Sequence, residues 1–129
     1  KPEWGTMTPK QMLIHLIQSS KMMHFGNTII LIKEKHIKQA ISFLYSDKEI
    51  IKGLVVPKDI GLNYDKDINQ DIEELKKELM NSTNTMIVSL NKNINFKAIH
   101  PFFGELNSEQ WLLFQRKHFT HHLNQFRLL

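Results

Sequence analysis

The stretch Gln115–Phe126, which reads QRKHFTHHLNQF, holds three of the chain's seven histidines within five positions. On an α-helix each residue turns the direction of its side chain by about 100°, so His118 and His122 point within about 40° of each other. Their Cβ atoms are then about 5–6 Å apart, close enough for both imidazoles to bind one metal ion. His121 points to the other side of His118 and is expected beside the site. Two histidines alone are an incomplete site, since a catalytic zinc has about three protein ligands and an open position.

The composition is that of one globular domain, which we predict to span residues 1–129. Hydrophobic residues make up 41% of the 129 residues and charged residues 23%, which is ordinary for a domain with its own core. There is no cysteine, which excludes disulfides, thiolate ligands and a cysteine nucleophile. No apolar run approaches the about 18 residues of a membrane span and no signal peptide is evident, so we predict a cytoplasmic protein without a membrane partner. The formal net charge is +4, but its lysines are dispersed, which argues against a nucleic-acid partner.

Helix start signals and apolar spacing predict most of the elements. Thr8 and Gln11 form a capping-box pattern around Pro9, so a helix is expected from there to about residue 24 or 25. Apolar residues at three- and four-residue steps predict further helices over 33–46, over 67–90 with a cap at Asp67, and from Asn107 to about Phe126. The β-branched run at 28–32 could begin as a strand. Gly53, Pro57 and Gly61 indicate a long irregular connection.

Together these elements predict an all-α fold, a four-helix bundle with a long crossover connection, because helices with one apolar stripe bury those stripes against each other. Residues 91–105 are predicted to be a loop. Within it, the run His100-Pro101-Phe102-Phe103-Gly104 is expected to be a turn held on the core by its two aromatic side chains.

His15 interrupts the apolar stripe of the first helix. It shares a strip with Gln11, Gln18, Ser19 and Met22, at offsets of three, four and seven residues. The residues alone favour a histidine at the edge of the buried face with one hydrogen bond. A ligand role for His15 stays open on this evidence.

Two blocks of the sequence resemble the DinB/YfiT-like superfamily of metal-dependent enzymes, in a small branch of unassigned function. The resemblance covers residues 4–25 and 99–126. It is carried by Trp4-Gly5-x-Met7-Thr8-x-x-Gln11-Met12-x-x-His15, by the HPFFG run, by Trp111 and by Lys117-His118-x-x-His121-His122-x-x-Gln125-Phe126.

The resemblance implies that a four-helix bundle holds one divalent metal by three histidines, which match His15, His118 and His122. It also implies a helix before Trp4. Only three residues precede Trp4 here, so we expect that this first helix is missing or that the segment 33–46 takes its place. A homodimer is possible if the face left open is apolar.

Neutral imidazoles suit Zn, Ni or Fe alike, and a bound divalent metal would activate a water or a thiol. Members of the superfamily look like thiol S-transferases or hydrolases, so we expect one of these reactions on a small-molecule substrate, with a low-molecular-weight thiol as a possible partner. The alternative is a non-catalytic helical bundle that binds a small ligand or a protein partner.

Side chains around the expected ligands are candidates for supporting roles. Metal-bound histidines usually donate their other ring N–H to an acceptor, and Gln125, Gln11 and Gln18 lie within a helical turn or two of the ligands. His121 and His100 are candidates for handling protons, although a packing role is the simpler interpretation for each.

Overall fold

The structure, a computed structural model, describes residues 1–26, 28–53 and 68–129. That part of the chain contains four α-helices and one two-stranded sheet. In chain order they are α1 (Pro9–Lys21), α2 (Glu34–Leu44), α3 (Ile72–Lys92), β1 (Lys97–His100), β2 (Gly104–Asn107) and α4 (Ser108–Gln125), and a short 3-10 helix, Met22–His24, follows α1 directly.

Helix α1 is the central helix, with eight of its 13 residues buried. It begins as predicted: the Thr8 hydroxyl accepts the backbone N–H of Gln11 at 3.1 Å, and the Gln11 side chain accepts the backbone N–H of Thr8 at 2.9 Å. Two of the N–H groups that a helix start leaves unpaired are thereby satisfied. The helix packs against α3 and α4, so the residues it buries face both neighbours.

The all-α prediction is wrong, because residues 97–107 form an antiparallel hairpin. Strands β1 and β2 pair from Lys97 with Asn107 to His100 with Gly104. The predicted turn closes the hairpin, and Gly104 takes a positive φ of +74° that a side chain would disfavour. Two four-residue strands are too short to show a clear two-residue alternation, whereas a docked hairpin can be held by tertiary contacts.

Four other predicted elements also test the sequence interpretation. The helix predicted at 33–46 is confirmed as α2, and the helix from Asn107 is confirmed as α4. The strand suggested at 28–32 is wrong: those residues form no strand, although the backbone N–H of Leu31 donates to the Pro101 carbonyl in the turn of the hairpin at 2.7 Å. Helix α3 begins at Ile72 rather than near 67, since the carboxylate of Asp71 accepts the N–H of Glu73 and caps the helix there. Asp67, Pro57 and Gly61 lie outside the described residues.

Among the described residues the apolar core forms two clusters, and helices α1 and α4 both contribute to it. One cluster gathers around Trp111 and Phe114 with the hairpin, and the other around Leu16 with the start of α3. Several buried polar residues lie on the same two helices: His15, Ser19, Ser20, Gln115, His122 and Gln125. The described helices include none that is long and apolar enough to span a bilayer.

Candidate metal centre

Helix α4 presents its polar residues to the interior along one face. Gln115, His118, His122 and Gln125 follow each other at steps of three and four residues, so they lie on one side of the helix. The helix is fixed at its start by a capping box in which the Asn107 side chain accepts the N–H of Gln110 at 2.9 Å. A well-anchored helix of this kind holds the polar face at a defined depth in the core.

Three histidine rings meet where this face crosses α1. The Nε2 atoms of His15 and His118 are 2.8 Å apart, and those of His122 and His118 are 3.1 Å apart. One ring nitrogen from each residue lies within 4.8 Å of the other two. His15 and His122 are buried and His118 is half-buried. Among the described residues, no fourth histidine or carboxylate belongs to this group.

This geometry fits three ligands on one side of a single divalent ion. With zinc–nitrogen bonds of about 2.0–2.1 Å, two ligand nitrogens lie about 2.9–3.4 Å apart when their bonds meet at 90–110°. The two Nε2–Nε2 distances are 2.8 Å, just below that range, and 3.1 Å, within it. The three histidines are therefore close enough to hold a metal ion.

Burial keeps these rings neutral. It lowers the pKa of His15 to about 3 and that of His122 to about 4, and the pKa of His118 is also well below its ordinary value, first through burial and then through the neighbouring rings. Neutral imidazole is the form that binds metal. At neutral pH, therefore, no proton has to dissociate from these rings before a cation binds.

Gln125 connects His122 to the N-terminal segment. Its Nε2 donates to the backbone oxygen of Trp4 at 2.8 Å, so its Oε1 faces His122 Nδ1 at 2.9 Å. Gly5 lies against the same amide: a Cβ there would stand 3.2 Å from Gln125 Nε2. The backbone N–H of Glu3 also donates to the backbone carbonyl of Gln125 at 2.7 Å. The N-terminal segment thus positions the amide that contacts His122.

Ser19 and Gln115 form the corresponding contact at His118. The sequence interpretation placed Ser19 on the strip of His15 but assigned neither residue a role at the site. Ser19 Oγ lies 2.9 Å from His118 Nδ1 and donates to Gln115 Oε1 at 3.1 Å. The signal was present, because Ser19 is four residues after His15 and Gln115 is three residues before His118. Each therefore lies one turn from a ligand candidate on the same helix face.

The other two glutamines are placed differently. The Gln11 side-chain oxygen accepts the N–H of Thr8 in the capping box. Gln18 has a half-buried side chain on α1. A supporting role for either at the histidine cluster stays a prediction.

His121 lies at the wall of a cleft beside the cluster and is not one of the three grouped rings. Its ring centroid is 5.0 Å from that of His122 and 5.3 Å from that of Trp4. The cleft has a volume of about 630 Å³ and is lined by α4, by the residues after α2 and by the N-terminal segment. Partial burial lowers the pKa of His121, opposed by a hydrogen bond to the Ile50 backbone.

His100 lies in the turn of the hairpin, away from the cluster. Its Nδ1 accepts the backbone N–H of Phe102 at 3.0 Å, and its ring centroid is 4.2 Å from that of Phe114. Burial lowers its pKa to about 3. These contacts are those of a residue that closes the turn, and a role in handling protons stays a prediction.

Acid should destabilise the metal-free protein between about pH 6.5 and pH 4. The buried rings of His15, His100 and His122 have pKa values of about 3 to 4 in the folded chain, whereas exposed histidines titrate near 6.5. In that window the unfolded chain binds more protons than the folded chain. The free energy of unfolding therefore decreases as the pH is lowered, by up to about 1.4 kcal/mol per pH unit for each ring.

Urea unfolding at pH 7, 6 and 5, with a chelator present, measures this dependence. His100→Leu removes one of the titrating rings and should make the dependence shallower by about 1.4 kcal/mol per pH unit at most. An unfolding free energy that is the same at pH 7 and pH 5 would contradict the prediction.

A comparison with protein families identifies the chain. A family model described as a protein of unknown function, DUF1569, matches residues 10–128. The chain belongs to the DUF1569 family. The range shared with DUF1569 includes His15, His118 and His122, and its description assigns no activity. No curated protein and no solved structure matches the chain.

Proposed function

We propose that this DUF1569 protein is a metal-dependent enzyme that holds one divalent ion, Zn, Ni or Fe, by His15, His118 and His122. The observation that carries the proposal is the convergence of three ring nitrogens from two helices, with Nε2 separations of 2.8 and 3.1 Å. Three neutral ligands would leave the ion its full charge, and the group contains no fourth ligand among the described residues. Such an open set is typical of catalytic sites.

The resemblance of residues 4–25 and 99–126 to the DinB/YfiT-like superfamily supports the same proposal. The hairpin departs from the all-α bundle of that superfamily, so the likeness concerns the histidine-bearing helices. We propose thiol S-transfer or hydrolysis of a small substrate. A divalent ion at this site would act as a Lewis acid on a water, a thiol or a substrate oxygen.

The chain's own residues have distinct parts in this proposal. Gln125 orients His122 through Nδ1. His121 contacts both His122 and Trp4, and it lines the cleft of about 630 Å³, which is large enough for a small molecule. We propose that the substrate occupies this cleft, with His121 between it and the metal ligands.

Activity assays on reconstituted protein test the proposal. Metal-free protein is loaded with zinc, nickel or iron and assayed for transfer of low-molecular-weight thiols to an electrophile and for ester and amide hydrolysis. We expect activity that depends on the metal, falls to background in His15→Ala and is kept in His36→Ala, an exposed histidine on α2. Stoichiometric metal without activity in any assay would favour a non-catalytic bundle.

A further inference from the structure

We propose that Ser19 and Gln115 are positioning residues that hold His118 in the tautomer whose Nε2 is bare and faces the other two rings. This inference rests on the proposed metal function, because a bare Nε2 is what a metal ligand needs. It concerns the metal-free chain, however, so it can be tested without an ion.

The orientation of the Gln115 amide determines where the Ser19 hydroxyl directs its proton. Gln115 Nε2 donates to the backbone oxygen of Ser19 at 2.8 Å, so the other end of the amide, Oε1, faces Ser19 Oγ at 3.1 Å. An amide oxygen can only accept. The Ser19 hydroxyl has one proton, so its contacts with Gln115 and with His118 can both be hydrogen bonds only if that proton is donated to Gln115. The Met22 sulfur, 3.8 Å from the same hydroxyl, is a weak acceptor and competes poorly.

The position of the ring proton of His118 follows from the direction of the Ser19 hydroxyl. With its own proton donated to Gln115, Ser19 Oγ can only accept at His118 Nδ1, 2.9 Å away. The His118 Nδ1 atom must then carry the ring proton. A neutral imidazole has one N–H, so Nε2 of His118 has a free lone pair.

The same reasoning applies to His122, so two ring nitrogens of the cluster are unprotonated. Gln125 Oε1 accepts from His122 Nδ1 at 2.9 Å, which leaves His122 Nε2 bare as well. Two bare nitrogens then face each other at 3.1 Å. Two acceptors at hydrogen-bond distance repel each other unless a hydrogen-bond donor or a cation is shared between them. Two separate side-chain arrangements therefore prepare this pair for a cation.

Ring ¹⁵N chemical shifts of metal-free protein report the tautomer directly, because protonated and bare nitrogens resonate in different ranges. In wild type we expect a protonated Nδ1 and a bare Nε2 at His118. In Ser19→Ala the acceptor is lost, so we expect a mixture of the two tautomers. The zinc dissociation constant, measured against a competing chelator, should rise about 10-fold, as when an outer partner of a ligand is removed.

Gln115→Met tests the direction of the hydrogen bonds. Without Gln115 the Ser19 hydroxyl is free to donate to His118 Nδ1, which should shift the ring to the tautomer with a protonated Nε2. Zinc binding should then weaken about 100-fold, the upper end for such partners. Adding Ser19→Ala to Gln115→Met removes the misdirected donor, so the double variant should bind zinc more tightly than Gln115→Met alone. Losses that simply add would overturn the proposal.

Ser20→Ala is the matched control. Ser20 is the next residue on α1 and is also buried, but its hydroxyl donates to the Ile17 carbonyl and contacts Ser82. We expect an unchanged His118 tautomer and unchanged zinc affinity. A bare Nδ1 at His118 in wild type would overturn the proposal whatever the metal does. A wild type that binds no zinc but shows the protonated Nδ1 would refute the proposed function alone.

Discussion

Replacing His118 by alanine should abolish measurable zinc binding. His118 is the ring common to both short contacts, with Nε2 atoms of His15 and His122 at 2.8 and 3.1 Å. Loss of an outer partner of a metal ligand costs about 10–100-fold in affinity, and loss of the ligand itself should cost more. Titration of metal-free protein with zinc in the presence of a chromogenic chelator measures the effect.

His121→Ala is the control for that experiment. It removes an imidazole three residues further along the same helix, and its ring is not one of the three that group together. We expect zinc affinity within a few-fold of wild type, since all three of the rings that group together are retained. Equal zinc affinities for His118→Ala and His121→Ala would contradict the assignment of the ligands.

Replacing Trp111 by alanine should cost about 3–5 kcal/mol of the free energy of unfolding, as for other buried aromatic residues. Trp111 is fully buried in the cluster that joins α4 to the hairpin, and its Nε1 donates to the Ala98 carbonyl of β1 at 3.2 Å. The substitution opens a cavity and leaves that carbonyl without its donor. Since domains are stable by about 5–15 kcal/mol, this change should remove much of the total.

Urea unfolding of metal-free protein measures the Trp111 effect, with two comparisons. Trp111→Phe keeps an aromatic ring and loses the N–H, so its cost should be clearly smaller. Leu128→Ala alters a side chain that is 60% exposed and should stay within about 0.5 kcal/mol of wild type. A Trp111→Ala protein as stable as Leu128→Ala would show that the hairpin does not depend on this contact.

Helix α4 and its histidine pair were predictable because their cause is local. The Asn107 cap fixes where the helix starts, and the four-residue step from His118 to His122 fixes their direction. The proximity of His15 to that pair depends on how α1 packs against α4, about 100 residues away. Helix periodicity does not contain that information, and only the resemblance suggested it.

The hairpin and the hydrogen bonds of Ser19 and Gln115 show two different limits of prediction from the sequence. Strands β1 and β2 pair over four residues each, and Trp111 donates to the Ala98 carbonyl of β1, a tertiary contact that strand propensity does not predict. Ser19 and Gln115 were assigned no role for another reason. Serine and glutamine on a helix have many roles, and their importance appears only when the Ser19 hydroxyl is seen to lie between the Gln115 amide and a ring nitrogen of His118.

The most direct test of the metal centre is the metal content of untagged protein purified without chelator, measured by mass spectrometry beside His15→Ala. We predict about one equivalent of a divalent metal in wild type and a loss of it in the variant, as for a single three-histidine site. Wild-type protein that contains no metal and takes up none after incubation with zinc, nickel or iron would contradict the account. The three histidines would then be buried polar residues of the core.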